Sequence, residues 1–140
     1  MPSPFATEIT VRFGHIDAAG IVFYPRYLEM VNETIERWFE ECLGVSFREL
    51  HMERHAGTPT KHLAVDFLKP SRLGDRLTFT LRVAKIGRSS FDLEIVCSCG
   101  REARFKAAAT LVYTSFEPFA PAPLPEELRL RMAPFVRAGA

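Results

Sequence analysis

Asp17, Gly20 and the pair Tyr24-Pro25 are the residues of this chain whose types and spacing best suit chemistry. Asp17 stands in a tight segment just before Gly20, and the apolar run Ile21-Val22-Phe23-Tyr24 leads from there to Pro25. Proline fits the first helical position, because its missing N–H would be unpaired there and its φ is already helical. A helix start carries free backbone N–H groups and the positive end of the helix dipole. A carboxylate beside such a start suits acyl chemistry. The acid serves as nucleophile or general base, and the N–H groups receive the developing oxyanion. The blander reading of Asp17 is a turn residue or helix-entry cap, the usual role of an Asp-x-x-Gly segment.

Other candidates carry weaker patterns. Glu29, Glu33 and Glu36 fall on the polar side of the expected helix, where a solvated face is the ordinary role. His51 and His55 are spaced for zinc on a helix, but HMERH lacks the glutamate placement of H-E-x-x-H and no third ligand is apparent. Cys97 and Cys99 share one face of a strand, where two small apolar side chains pack well. His15 either borders Asp17 or simply packs. Arg88 stands in a Gly87-Arg88-Ser89 turn, and a basic turn suits phosphate through charge-assisted hydrogen bonds. No metal and no bound cofactor are expected.

These groups need a scaffold. Phe5, Thr7, Ile9, Val11 and Phe13 alternate with polar neighbours, which predicts a strand ending near Phe13. Leu28, Val31, Ile35, Trp38 and Cys42 recur at helical spacing, with Met30 and Phe39 widening the stripe and Gly44 as the stop. That predicts a helix over 25–43. After the polar segment VSFRELHMERHAGTPT, four alternating runs follow, at 62–68, 76–86, 91–99 and 102–116. Their short connections predict antiparallel hairpins. A sheet must bury one face, and only the 25–43 helix is long enough to cover it. The expected fold is α+β, a five-stranded antiparallel sheet wrapped around a long central helix. Residues 118–140 read as a proline-rich linker and a short amphipathic helix, with Leu128, Met132, Phe135 and Val136 packed loosely on the body. The whole of 1–140 reads as a single domain.

Composition narrows the class. At 140 residues, 47% hydrophobic and 25% charged, the chain is ordinary for a globular domain. A net charge of +1 gives no electrostatic case for nucleic acid or an anionic membrane. No apolar run is long enough to span a bilayer, and the N-terminus lacks the pattern of a signal peptide. Three cysteines, an odd number, argue for a reducing compartment and a cytoplasmic protein.

With this layout, the motif V-R-F-x-x-x-D-x-x-G-I-V-F-Y-P-x-Y over Val11–Tyr27 resembles the hotdog-fold acyl-CoA thioesterases of the 4-hydroxybenzoyl-CoA thioesterase type. The resemblance covers nearly the whole chain and weakens after Phe116. It implies hydrolysis of acyl-CoA, with an aromatic acyl group, to free acid and coenzyme A. Coenzyme A enters as part of the substrate. The resemblance also implies subunits that join their sheets, as a homodimer or homotetramer. It makes Asp17 the catalytic carboxylate and the backbone N–H of Tyr24 the group that polarises the thioester carbonyl. Gly20, Phe23, Asn32 and Thr60 would contact substrate, and Arg88, Ser89 and Ser90 would hold the coenzyme A phosphates. Pro25 stands where the Tol-Pal-associated short-chain thioesterases usually have histidine, which favours the aryl branch. Asn32 stands where some 4-hydroxybenzoyl enzymes have an acid near the ring. The alternatives are a short-chain aliphatic thioesterase and a non-catalytic module that binds acyl-CoA or acyl-carrier protein.

Overall fold

The computed structural model describes residues 4–137, so residues 1–3 and 138–140 of the expected domain lie outside the described residues. In chain order the elements begin with β1 (Phe5–Thr10), α1 (Tyr24–Trp38) and β2 (Ala56–Gly57). The long strands β3 (Thr60–Phe67), β4 (Arg76–Ile86), β5 (Ser90–Cys99) and β6 (Glu102–Val112) follow. Short strands β7 (Thr114–Phe116) and β8 (Phe119–Pro121) and the helix α2 (Glu126–Met132) complete the chain. The main sheet has five strands in the order β1-β4-β5-β6-β3, every neighbour antiparallel. This is the expected α+β hotdog arrangement, with the long helix lying against one face of the sheet.

The period-two alternation of the strands decides which face is buried. Leu77, Phe79, Leu81 and Val83 of β4, Phe91, Leu93, Ile95 and Cys97 of β5, and Phe105, Ala107, Ala109 and Leu111 of β6 are all buried. Alanines on β6 leave room for the helix. From α1, Tyr27, Met30, Val31, Thr34, Ile35 and Trp38 are buried. The stripe is rotated from the expected one: Leu28 and Cys42 are only half-buried, and Tyr27 and Thr34 turn inward. Thr34 can do so because its hydroxyl donates to the Met30 carbonyl one turn back, at 2.8 Å. Trp38 anchors the far end, edge-on to Phe39 and Phe135 with ring centroids 5.7 Å away in each case. Truncating so large a buried ring costs about 3–5 kcal/mol.

Four details depart from the expectations. The first strand ends at Thr10, because Phe13–His15 turns into a 3₁₀ segment. The helix begins at Tyr24 and continues beyond Trp38 as a wider π turn, Phe39–Leu43, closed by Gly44 in the left-handed region. The polar segment after it holds a further π turn, Glu49–Glu53, and β2, which pairs with β7 in a small sheet of order β2-β7-β8. Finally, β3 and β4 do not form a hairpin. β3 pairs with β6, so residues 68–75 cross the end of the sheet to start β4 beside β1.

The C-terminal segment is a correction too. It is no loose appendage, for Leu124, Leu128 and Met132 are buried in the same core as Trp38. Arg131 reaches across to donate to the Leu43 carbonyl at 2.9 Å, capping the end of the helical run from α1. The amphipathic spacing was visible in the sequence. What it packs against was not.

Candidate active site

A short antiparallel turn presents Asp17. Its N–H donates to the Ile21 carbonyl at 2.9 Å, and the Gly20 N–H donates back to the Asp17 carbonyl at 3.0 Å. Gly20 sits at φ +79°, a conformation that strains residues with a side chain. One Asp17 carboxylate oxygen accepts from the Ala19 N–H at 2.8 Å, which fixes the side chain and leaves the other oxygen without a partner among the described residues. The side chain is exposed. His15 orients this loop: its Nδ1 accepts from the Arg12 N–H at 2.8 Å, and its carbonyl accepts from Phe23 N–H at 2.9 Å. Phe23 is the N-cap of α1, with Pro25 in the first turn. The Tyr24 N–H, at the first residue of α1, makes no backbone hydrogen bond among the described residues. It adds a free donor to the positive end of the helix.

The crossover segment 68–75 supports the loop from below. Val22 N–H donates to the Ser71 carbonyl at 2.9 Å, and Ile21 bridges Arg72. The segment is itself held by Arg104 of β6. One nitrogen of that side chain bonds Pro70 carbonyl at 3.1 Å, Ser71 Oγ at 3.0 Å and Asp75 Oδ2 at 2.8 Å. The Arg72 N–H and then the Arg104 guanidinium hold the Asp75 carboxyl below its ordinary range. Neither Arg104 nor Asp75 stood out in the sequence. The signal available was an arginine on β6 flanked by Glu102 and Lys106, an ordinary charge pattern for a strand face.

Two cavities flank α1. The first, of about 270 Å³, lies at the helix start between Ile21, Tyr24, Tyr27, Phe67 and Pro70. Tyr24 meets Phe67 edge-on at 6.0 Å, and Tyr27 stacks on the same ring at 6.0 Å. The Tyr27 hydroxyl is buried beside Ser71 but not in hydrogen-bonding geometry, and burial pushes it above the ordinary phenol range. The second cavity, of about 470 Å³, lies further along the helix and is lined by Asn32, Glu36, Phe47, His51, Thr60 and Phe116 among others.

The expected site residues therefore divide into two groups within one chain. Asp17 and Gly20 lie on the Ile16–Val22 turn, and that turn is tied to Phe23 at the start of α1 through the His15 carbonyl, with Tyr24 next in the chain. Asn32 and Thr60 meet in the second cavity, about 12 Å along the axis from Tyr24 at the usual rise per residue. Arg88, Ser89 and Ser90 form the β4–β5 turn at the Thr60 end of the sheet. Ser90 pairs with Val112, whose N–H donates to the Pro59 carbonyl at 3.0 Å. Arg88 is exposed, and its carbonyl accepts from Leu124 N–H at 2.8 Å. Glu29 and Glu33 are tied up by Arg26 and Arg37. Cys97 is buried, which pushes its thiol up to about 12 and makes it a packing residue. Among the described residues, no three His, Cys, Asp or Glu side chains converge as metal ligands would, and no helix is long and apolar enough to cross a membrane. His51 and Glu36 belong to the second cavity, a placement that sequence spacing could not reveal.

Comparison with known proteins gives the class of protein to which this fold belongs. The sequence profile of the Thioesterase-like superfamily matches residues 11–132, and the chain belongs to that superfamily. It is similar to a 1,4-dihydroxy-2-naphthoyl-CoA hydrolase of Acaryochloris marina (strain MBIC 11017), 32% identical over 85% of this chain and 88% of that one. A solved gentisyl-coenzyme A thioesterase superposes with a TM-score of 0.84 at 26% identity, covering 91% of this chain and 99% of that one. A solved thioesterase superfamily protein from Jannaschia sp. CCS1 gives a TM-score of 0.90 at 25% identity, over 97% and 95%.

Proposed function

We propose that this protein hydrolyses aromatic acyl-CoA thioesters, with Asp17 as the catalytic carboxylate. The observation that carries this reading is the fixed Asp17 side chain with one idle oxygen, on the turn that leads into α1 and its free Tyr24 N–H, in a thioesterase-like chain. The carbonyl oxygen of the thioester sits against the start of α1, where the N–H and the dipole stabilise negative charge. Asp17 then acts by one of two routes. As nucleophile it bonds to the carbonyl carbon, the carbon–sulfur bond breaks, and coenzyme A leaves as thiolate; water splits the resulting anhydride and restores the carboxylate. As general base it takes a proton from the water that attacks instead. A thiolate is a good leaving group, so no dedicated acid is required.

The relatives named above act on dihydroxynaphthoyl and gentisyl (2,5-dihydroxybenzoyl) thioesters. Both groups are aromatic and carry two hydroxyls para to one another. We place a hydroxylated aryl group in the cavity of Asn32 and Thr60 and the coenzyme A phosphates at Arg88, Ser89 and Ser90. Both lie away from Asp17 within one chain, and assembly resolves the separation. β3 is an exposed edge along nearly its whole length, with Leu63 38% and Phe67 50% exposed. Such an edge invites pairing. Antiparallel pairing of β3 across a two-fold axis sets the partner's Thr60 beside Phe67, at the helix start that holds Asp17. The working unit is then at least a homodimer with two composite sites, and a cytoplasmic setting agrees with its unpaired cysteines. A thiol-release assay over aryl-CoA and aliphatic CoA esters tests the reading. The aryl esters should lead in kcat/KM; preference for short aliphatic esters would make the enzyme a short-chain thioesterase, and no turnover of any would leave only a binding role.

A further inference from the structure

The wall of the second cavity facing α1 is built around His51. Its ring is held between Phe47 and Phe116, with centroids 5.6 Å and 5.4 Å away. Beneath it lies Gly57 of β2, where a Cβ would fall 2.6 Å from Phe116 Cζ, 3.0 Å from His51 Cε1 and 3.2 Å from His51 Nε2. Glycine is therefore needed there for the two rings to lie as close to the strand as they do. Across the cavity, α1 presents Asn32 and Glu36. The side chains of His51, Asn32 and Glu36 make no hydrogen bond or ion pair among the described residues, whereas Glu29 and Glu33, earlier on the same helix, are each paired with an arginine. Three idle polar side chains thus converge on one space whose remaining walls are largely aromatic and apolar. Such a space takes a flat ring with polar substituents.

Resting on the reading that the acyl ring enters this cavity, we propose that His51 is a specificity-determining residue that hydrogen-bonds a ring hydroxyl of the acyl group, and that Gly57 is the positioning residue that sets His51 at the right depth. Asn32 and Glu36 supply acceptors on the facing wall. A site that spends polar side chains on a hydroxyl discriminates against the ring that lacks it. The aromatic clamp keeps the imidazole from turning away.

The test compares 2,5-dihydroxybenzoyl-CoA with benzoyl-CoA for the wild type, His51→Phe, His51→Gln and Gly57→Ala. The wild type should favour the dihydroxy ester in kcat/KM. His51→Phe keeps the stack with Phe47 and Phe116 but removes the polar atoms, so it should cut that preference, the ratio of the two kcat/KM values, about tenfold or more. His51→Gln should restore part of the preference, which a merely structural role would not produce. Gly57→Ala should weaken the preference with His51 still in place. Circular dichroism and the melting temperature report on folding of each variant. An unchanged substrate ratio in His51→Phe would overturn this inference alone. A wild type that hydrolyses neither ester would overturn the functional reading and this inference with it.

Discussion

At the residue scale the proposed reaction rests on Asp17. Asp17→Asn keeps the size of the side chain and its hydrogen bond from Ala19 but removes the charge. Loss of a general base costs about 10²–10⁴ in rate, so kcat should fall at least a hundredfold, with KM little changed. Thermal stability should move little, because the side chain is exposed. Single turnover in heavy-oxygen water adds a mechanistic reading: label in the Asp17 carboxylate would establish the anhydride route. At this scale the helix-start group was legible in the sequence, because Asp17, Gly20 and Tyr24 are local and the chemistry of a helix start depends only on neighbours. His51 was not. Its meaning comes from Phe116 and Gly57, and β2 is too short to leave a periodic signal.

At the element scale, packing between distant segments sets the loop. Arg104 and Asp75 tie the crossover that carries Val22, and their ion pair is partly buried, with side chains 11% and 29% exposed. Asp75 is held below its unfolded value, so its stabilising contribution is present above about pH 4 and is lost as pH falls through the lower folded-state value. The melting temperatures of the wild type and Asp75→Asn should accordingly differ near neutral pH and converge in acid; a constant gap would show that the ion pair is not what holds the crossover. Gly44→Ala meets two penalties, a φ of +75° and overlap with the Arg131 guanidinium that caps Leu43. We expect about 1–2 kcal/mol of destabilisation, read as a drop of several degrees in Tm. The strand alternation and the long helix followed from periodicity. The order of strands did not, since a short connection such as 68–75 serves equally for a hairpin or for a crossing at the sheet end. The tight packing of α2 was hidden for a related reason: its apolar stripe is visible in sequence, but the core that receives it is assembled from β4, β5 and the end of α1.

At the scale of the whole molecule, the proposed site draws on two groups, one at the start of α1 and one about halfway along it, joined through paired β3 edges. Arg88→Ala should raise KM by roughly three- to tenfold with kcat nearly unchanged, because an exposed phosphate contact is equal in ground and transition states. A composite site can be tested by mixing two defective chains, Asp17→Asn and the cavity-filling Asn32→Trp, each expected to be inactive as its own homodimer. Differently tagged copies are co-expressed and the mixed dimer is purified. One of its two sites then combines an intact Asp17 with an intact Asn32 cavity from the other chain. Thiol release from 2,5-dihydroxybenzoyl-CoA should then return to about half the wild-type rate per dimer. If the site lay within a single chain, every site in the mixed dimer would carry one defect, and activity no higher than that of the two parent homodimers would contradict the composite site.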